Sequence, residues 1–143
     1  MTDTRCPLCD LDEKDGLWAN EDCLVVLAQA AGVGTICRVV WRDHVREMSD
    51  LAPTERRAFM DTVFAVEAVL RQQARPTKMN LASLGNLVPH LHWHVIPRYE
   101  DDAYFPDAIW GAARRPGAQH LLNEDLVRAA LYEALGQSRK SRL

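Results

Sequence analysis

The run His90-Leu91-His92-Trp93-His94 restricts the fold of this chain more than any other segment, because its histidines alternate with apolar residues. In a β-strand, side chains two positions apart point to the same side. The pattern therefore predicts a strand over residues 91–98, and an extended backbone from residue 90 onward places all three imidazoles on one face. Imidazoles in a row weaken packing and need hydrogen-bond partners, so a functional role is favoured over a metal cluster or core histidines.

The remaining segments predict an α+β fold. Apolar, β-branched runs indicate strands at residues 23–28, 35–41 and 78–84. Between Pro53 and Pro76, apolar residues recur at spacings of three and four, which is typical of a long amphipathic helix. Asn123 is a suitable N-cap for a C-terminal helix. The expected buried face of that helix consists of Leu126, Ala130, Leu131 and Leu135. Short connections between the strands favour an antiparallel sheet.

Length and charge restrict the class of protein. The 143 residues fit one domain, 1–143, with a flexible tail at 138–143. The formal net charge of −3 argues against a nucleic-acid binder, although Arg38, Arg42 and Arg46 lie close enough in sequence to suit a small phosphorylated ligand. No apolar run approaches the roughly 20 residues that cross a bilayer, and the first residues lack the apolar core of a secretion signal. We expect a cytoplasmic protein without membrane partners.

Four cysteines divide into two kinds. Cys6 and Cys9 have the spacing of a zinc knuckle within residues 1–16. A redox pair is disfavoured because the strand-to-helix context is missing, and two reduced thiols at a frayed terminus are the other alternative. Cys23 and Cys37 lie within apolar runs and are expected to be buried small hydrophobes.

The histidines suit chemistry at phosphorus. Neutral imidazole is both a good nucleophile and a good leaving group near neutral pH. One histidine could attack phosphorus while a neighbour donates a proton or hydrogen bond to the departing group. The turn at residues 84–86 offers backbone and amide groups to phosphate oxygens. These features predict an enzyme acting on a small phosphorylated molecule.

The motif resembles that of the histidine triad (HIT) family of nucleotide hydrolases and transferases. Residues 90–96 fit the family pattern His-φ-His-φ-His-φ-φ, with φ apolar, at every position. The similarity continues through residues 80–89, 97–98 and 105–110, and includes Trp41-Arg42-Asp43-His44 with the following turn at 49–51. It covers the chain from about Asp22 to Trp110. The resemblance implies a HIT-like antiparallel sheet of about five strands with a long helix and a C-terminal helix.

The resemblance also implies roles for individual residues. His92 would attack the α-phosphorus of a nucleotide and form a covalent nucleotidyl-histidine that water later hydrolyses. His94 would hydrogen-bond the phosphate or the leaving group. Asn80 and Asn86 correspond to amides that contact the same groups, and Trp110 lies on a loop expected to border the site. Family members are usually homodimers whose sheet continues across the interface.

A structural zinc ion is implied as well. Some family members bind zinc with an N-terminal Cys-x-x-Cys, a strand-end histidine and the first histidine of the triad, which here are Cys6, Cys9, His44 and His90. Four protein ligands leave no open position for water, so this zinc is expected to be structural rather than catalytic. His120 lies outside these motifs and is expected at the surface.

Two departures from the family pattern affect the expected activity. Thr35 stands where many members have a further histidine that supports the nucleophile. Gln29 is the only candidate where many members bind ribose. The first hypothesis is a hydrolase that releases a nucleoside monophosphate from a dinucleoside polyphosphate or a nucleotide amidate. The alternative is a nucleotide-binding or partner-binding module with weak or no catalysis. A zinc-stabilised nucleic-acid binder is disfavoured by the acidic balance.

Overall fold

Five strands and two α-helices make up the computed structural model, which describes residues 5–138. Residues 139–143 of the predicted tail lie outside this range. The elements are β1 (Trp18–Ala19), β2 (Cys23–Ala30), β3 (Gly34–Trp41), α1 (Pro53–Ala74), β4 (Lys78–Ala82), β5 (His92–Arg98) and α2 (Glu124–Leu135). The strands form one sheet in the order β1-β2-β3-β5-β4, and every neighbouring pair is antiparallel. The expected α+β fold is confirmed.

The two faces of the sheet differ in what covers them. Alternate residues of β3, Cys37, Val39 and Trp41, pack with Val95 of β5 against the apolar stripe of α1 in the main core. That stripe consists of Phe59, Val63, Val66 and Leu70, all with no exposed surface. Because side chains alternate along a strand, the residues between these positions point to the opposite face. The even-numbered residues of β3 and β5 therefore share the face away from α1.

Both helices begin where the sequence predicts, and α1 also ends there. In α1, Pro53 occupies the first turn and the Glu55 carboxylate accepts a hydrogen bond from the backbone N–H of Ala52 at 2.7 Å. The helix ends at Ala74 and is followed by a C-cap residue, Arg75, whose φ of 48° is left-handed, immediately before Pro76. In α2, the Asn123 side chain caps the helix as expected.

The predicted buried face of α2 is wrong at one position. Leu126 is 62% exposed, whereas Val127 and Leu131 are fully buried. Residues 127 and 131 lie one helical turn apart and face the core, and position 126 is rotated by about 100° from that stripe. Among residues 5–138, no helix has the length and apolar character needed to span a bilayer.

Sequence patterns missed β1 and shifted two strand ends. A strand of two residues, Trp18–Ala19, is too short to show alternation, and its existence depends on pairing with β2. Strand β4 ends at Ala82 rather than at position 84. Strand β5 begins at His92, which pairs with Val40 of β3, whereas the backbone N–H of Leu91 donates to the carbonyl of Val45 in a loop.

A buried ion pair organises the loop that follows β5. The Arg98 Nε donates to an Asp102 carboxylate oxygen at 2.8 Å, and both side chains are almost completely buried. The same carboxylate accepts hydrogen bonds from the backbone N–H groups of Tyr99, Tyr104 and Phe105. Burial alone would raise the pKa of Asp102, but these hydrogen bonds and the Arg98 charge outweigh burial and hold the pKa at about 2. The loop is therefore fixed by a single ionised side chain.

Candidate active site and metal centre

The antiparallel register of β3 and β5 brings the predicted catalytic histidines to the free face of the sheet. His92 lies opposite Val40, and His94 lies opposite Arg38. The two imidazoles are in edge contact, with ring centroids 4.9 Å apart. Each side chain is only 8% exposed. The strand predicted from alternation therefore places these histidines together in a partly closed site.

One hydrogen bond determines which nitrogen of His92 is nucleophilic. Its Nδ1 lies 2.6 Å from the backbone carbonyl oxygen of His90. A carbonyl can only accept, so Nδ1 of the neutral ring carries the hydrogen and donates it. The lone pair is then on Nε2. This arrangement is that of an oriented nucleophile, since the ring is held by a partner on the side away from the reacting atom.

His94 is neutral at physiological pH. Burial lowers its pKa to about 4, with further lowering from the neighbouring His92 and from the Arg38 guanidinium. Its Nδ1 is buried and has no hydrogen-bond partner within residues 5–138. The ring also contacts Trp110, with centroids 4.9 Å apart. His94 also lines the pocket described next, where a neutral imidazole can donate a hydrogen bond to a ligand or accept one from it.

A pocket of about 520 Å³ opens in front of these two histidines. Most of its lining is apolar, and its single charged lining residue is Arg38. The lining residues are Pro7, Leu8, Arg38, Leu84, Gly85, Asn86, Leu87, Val88, His92, His94 and Trp110. Gly85 has a φ of +69°, a conformation that favours glycine, and this lets the turn after β4 close one wall. A pocket of this kind suits a ligand with both an apolar body and an anionic group.

Beside the pocket, four side chains form a possible metal site, which we call the metal cluster: Cys6, Cys9, His44 and His90. Their ligand atoms all lie within 4.8 Å of one another. The Nδ1 of His90 is 3.4 Å from the Cys6 sulfur and 3.5 Å from the Cys9 sulfur, and the Nδ1 of His44 is 3.3 Å from the Cys9 sulfur. The two Nδ1 atoms are 3.2 Å apart.

These separations match a tetrahedral zinc ion. With Zn–S near 2.3 Å and Zn–N near 2.05 Å, tetrahedral angles place S and N about 3.6 Å apart and two N atoms about 3.3 Å apart. His90 is also in the correct tautomer. Its Nε2 lies 2.6 Å from the carbonyl oxygen of Trp41 and must donate, so the lone pair of Nδ1 points into the metal cluster.

The metal cluster and the pocket share parts of the chain. The ring of His90 is part of the metal cluster, and its backbone carbonyl accepts a hydrogen bond from Nδ1 of His92. Pro7 and Leu8, which lie between the two cysteine ligands, line the pocket. A contact or ion that holds the four side chains of the metal cluster in place therefore also positions the His92 ring and one wall of the pocket.

The structure places the four predicted substrate-binding residues differently. Asn86 and Trp110 line the pocket. Asn80 lies on the histidine face of β4, but its side-chain oxygen accepts a hydrogen bond from Arg98 at 2.8 Å and it is not part of the pocket lining. Gln29 also lies outside the lining, and its side-chain oxygen accepts from the Thr35 hydroxyl at 3.2 Å. Roles for these residues in binding remain predictions.

Sequence reasoning missed the pocket contacts of Pro7 and Leu8 and the structural role of Asp102. No local pattern marks Pro7 or Leu8, because their position depends on cysteines pairing with histidines up to 84 residues away. The sequence identifies Arg38 as one of three neighbouring arginines, but its position opposite His94 depends on the register of β3 and β5. Thr35 is buried, and its hydroxyl accepts from the backbone N–H of Leu122 at 2.9 Å.

Two solved structures from bacteria are similar to this chain. A histidine triad protein from Bradyrhizobium japonicum is 27% identical, with a TM-score of 0.65, and the match covers 85% of this chain and 92% of that one. A zinc-bound histidine triad family protein from Mycobacterium smegmatis is 18% identical, with a TM-score of 0.62 and coverage of 90% and 94%. The second likeness concerns the fold alone.

Sequence comparisons identify the family. A bis(5'-adenosyl)-triphosphatase from Saccharomyces cerevisiae is 32% identical over 72 residues, which cover 47% of this chain and 35% of that protein. The chain thus spans about a third of the length of this relative. The family model described as HIT domain matches residues 12–101, which is more than half of the sequence. The chain therefore belongs to the HIT domain family.

Proposed function

We propose that this protein is a nucleotide hydrolase that releases a nucleoside monophosphate from a phosphoanhydride or a phosphoramidate. His92 is the nucleophile and forms a covalent nucleotidyl-histidine. The observation that carries the proposal is the hydrogen bond from Nδ1 of His92 to the His90 carbonyl, which leaves Nε2 with the lone pair. Membership of the HIT domain family and the partial similarity to a bis(5'-adenosyl)-triphosphatase support the class of substrate.

The proposed reaction has two displacements at phosphorus. In the first, the Nε2 lone pair forms a bond to the α-phosphorus, the bond from phosphorus to the leaving oxygen or nitrogen breaks, and the leaving group takes up a proton. The His90 carbonyl stabilises the resulting positive charge on the ring through Nδ1–H. In the second, water attacks phosphorus, Nε2 departs with its electron pair, and a proton is released.

The other site residues have supporting roles in this proposal. His94 hydrogen-bonds the phosphate or the leaving group, which its place in the pocket lining and its neutral ring support. Asn86 contacts phosphate oxygens, and Trp110 borders the bound substrate. Asn80 is assigned to the phosphate or the leaving group and Gln29 to the ribose, and both lie outside the pocket lining.

We propose further that the metal cluster binds one structural zinc ion. Its four ligand atoms have the separations of a tetrahedral site, and a zinc-bound protein of the same fold is known. Zinc supplies a fixed link between the N-terminal turn and His90. With four protein ligands it takes no part in the displacements at phosphorus.

The location, oligomeric state and partners of the protein form a separate proposal. We expect a single-domain, cytoplasmic homodimer whose sheet continues across the interface, and no nucleic-acid partner. The net charge of −3 supports the last point. Light scattering combined with size-exclusion chromatography measures the oligomeric state, and a monomer at micromolar concentration would contradict the dimer.

A substrate panel tests the activity. Wild type, His92→Asn and His120→Asn are incubated with dinucleoside polyphosphates and nucleoside phosphoramidates, and the released nucleoside monophosphate is quantified. His120 is the matched control, because its ring stacks on Tyr99 and lies outside the pocket lining. We expect wild type and the control to turn over, while the His92 variant binds substrate and is slower by orders of magnitude. Equal turnover in all three would exclude His92 as the nucleophile. Binding without turnover by wild type would favour the nucleotide-binding module.

Metal analysis tests the zinc proposal. Purified wild type should contain about one equivalent of zinc, and the Cys6→Ser/Cys9→Ser double variant should contain none. Cys37→Ala is the control, because Cys37 is fully buried in the apolar core. Full zinc content in the double variant would reject this ligand set.

A further inference from the structure

Arg38 is the charged residue of the pocket and has no partner within the described residues. It lies on β3 directly opposite His94, on the same face of the sheet, and is half-buried. No ion pair or hydrogen bond engages its guanidinium in residues 5–138, whereas Arg42, Arg98 and Arg114 each have one. A guanidinium held in a mostly apolar pocket has lost part of its hydration, which favours binding of an anion.

The rest of the pocket lining reinforces this positive charge. None of the lining residues is Asp or Glu, so no carboxylate of the lining offsets the charge of Arg38. The charge of Arg38 also contributes, after burial and His92, to the lowered pKa of His94. The field in the pocket therefore attracts anions and repels cations.

The position of Arg38 relative to the nucleophile indicates which part of a substrate it meets. His92 and Arg38 are diagonal neighbours on adjacent strands, a separation of roughly 7 Å that a long side chain spans. An α-phosphorus at Nε2 of His92 carries a nucleoside on one side and the leaving group on the other. The nucleoside is uncharged, so the leaving side is the one that can supply additional anionic oxygens.

We infer that Arg38 binds phosphate oxygens of the leaving group and makes this protein selective for substrates whose leaving group is itself a phosphate or polyphosphate. This inference rests on the proposed function and narrows its substrate class to phosphoanhydrides. A protonated alkylamine leaving group would instead meet an uncompensated guanidinium, with no carboxylate in the pocket lining to pair with it.

The test compares two leaving groups on the same nucleoside. Wild type, Arg38→Met and Arg38→Lys are assayed with a dinucleoside tetraphosphate and with the corresponding nucleoside phosphoramidate, whose leaving group is ammonia. We expect Arg38→Met to lower kcat/KM for the tetraphosphate by about 10- to 100-fold, the usual value of a charged hydrogen bond, and for the phosphoramidate by less than about threefold. Arg38→Lys should recover part of the loss. Arg57→Met, an exposed arginine on the helix behind the sheet, is the control and should change neither value.

Equal losses for the two substrates would overturn the inference, because Arg38 would then act on the α-phosphate or on the fold. No loss for either would overturn it as well. A binding measurement keeps this test separate from the chemistry of His92. Isothermal titration with inorganic triphosphate should show binding to wild type that weakens by about 10-fold or more in Arg38→Met. If no substrate is turned over but this difference is found, the proposed hydrolase activity fails while the anion site at Arg38 stands.

Discussion

Replacing Asp102 by asparagine should destabilise the protein strongly, although the two side chains have the same shape. The carboxylate accepts two hydrogen bonds from Arg98 and three from backbone N–H groups, divided between its two oxygens. Whichever oxygen becomes an amide NH₂ then faces at least two donors. The Arg98 side chain, only 2% exposed, is left as a buried charge without a counterion. Breaking a buried pair in this way costs about 3–5 kcal/mol of the free energy of unfolding.

Asp107→Asn is the matched control. Asp107 and Arg114 form an ion pair with the same N–O distance, 2.8 Å, but both side chains are 51% exposed. Water replaces the lost contact there, so no measurable change in stability is expected. Residue types, N–O distance and substitution are the same at the two sites, which differ in burial and in the three backbone hydrogen bonds that Asp102 accepts.

Urea unfolding at pH 7, followed by tryptophan fluorescence, measures both effects. A loss of about 4 kcal/mol with a slope of about 2 kcal/mol per molar lowers the Asp102→Asn midpoint by about 2 M. The slope should stay unchanged. If the two variants shifted the midpoint equally, or if Asp102→Asn cost less than about 1 kcal/mol, the argument that burial makes this pair essential would be wrong.

Three further predictions concern titration and thiol reactivity. Because the folded pKa of Asp102, about 2, lies below its ordinary value of 3.8, its stabilisation is complete above about pH 4 and is lost as the pH falls through 2. The difference in urea midpoint between wild type and Asp102→Asn should shrink over that interval, and a constant difference would contradict it. The ring of His94, with a pKa of about 4, should show no NMR titration between about pH 8 and 5.5, and a midpoint near 6.5 would refute its burial. Burial raises the pKa of the Cys23 and Cys37 thiols to about 12, so iodoacetamide at pH 8 after metal chelation should label only the two cysteines of the metal cluster, as read by mass spectrometry.

The sequence predicted the elements well wherever a pattern is local. Alternation located the histidine strand, proline and asparagine located the helix starts, and apolar runs located β2 and β3 to within two residues of their observed ends. The two-residue strand Trp18–Ala19 has no such pattern, because it forms only by pairing with β2. The exposed Leu126 has the same cause. Which residues of α2 are buried depends on where α1 lies, and the sequence alone does not distinguish a buried face that includes Leu126 from one that includes Val127.

The candidate site divides in the same way. The triad and the cysteine spacing are local, and their likeness to a known family supplied the distant partners His44 and His90. Strand register, by contrast, is a property of the folded sheet, and it alone sets Arg38 opposite His94. Asp102 gave no signal either, because a carboxylate in an acidic loop is indistinguishable in sequence from an exposed one.

The turn formed by Pro7 and Leu8 has a consequence for how this protein can change over evolutionary time. It is held at both ends by cysteines that meet distant histidines, while the two residues between them face the pocket. Neither residue belongs to the apolar core that the helices cover. New side chains at positions 7 and 8 would therefore change the wall of the pocket without replacing any residue of the apolar core, the metal cluster or the histidine strand.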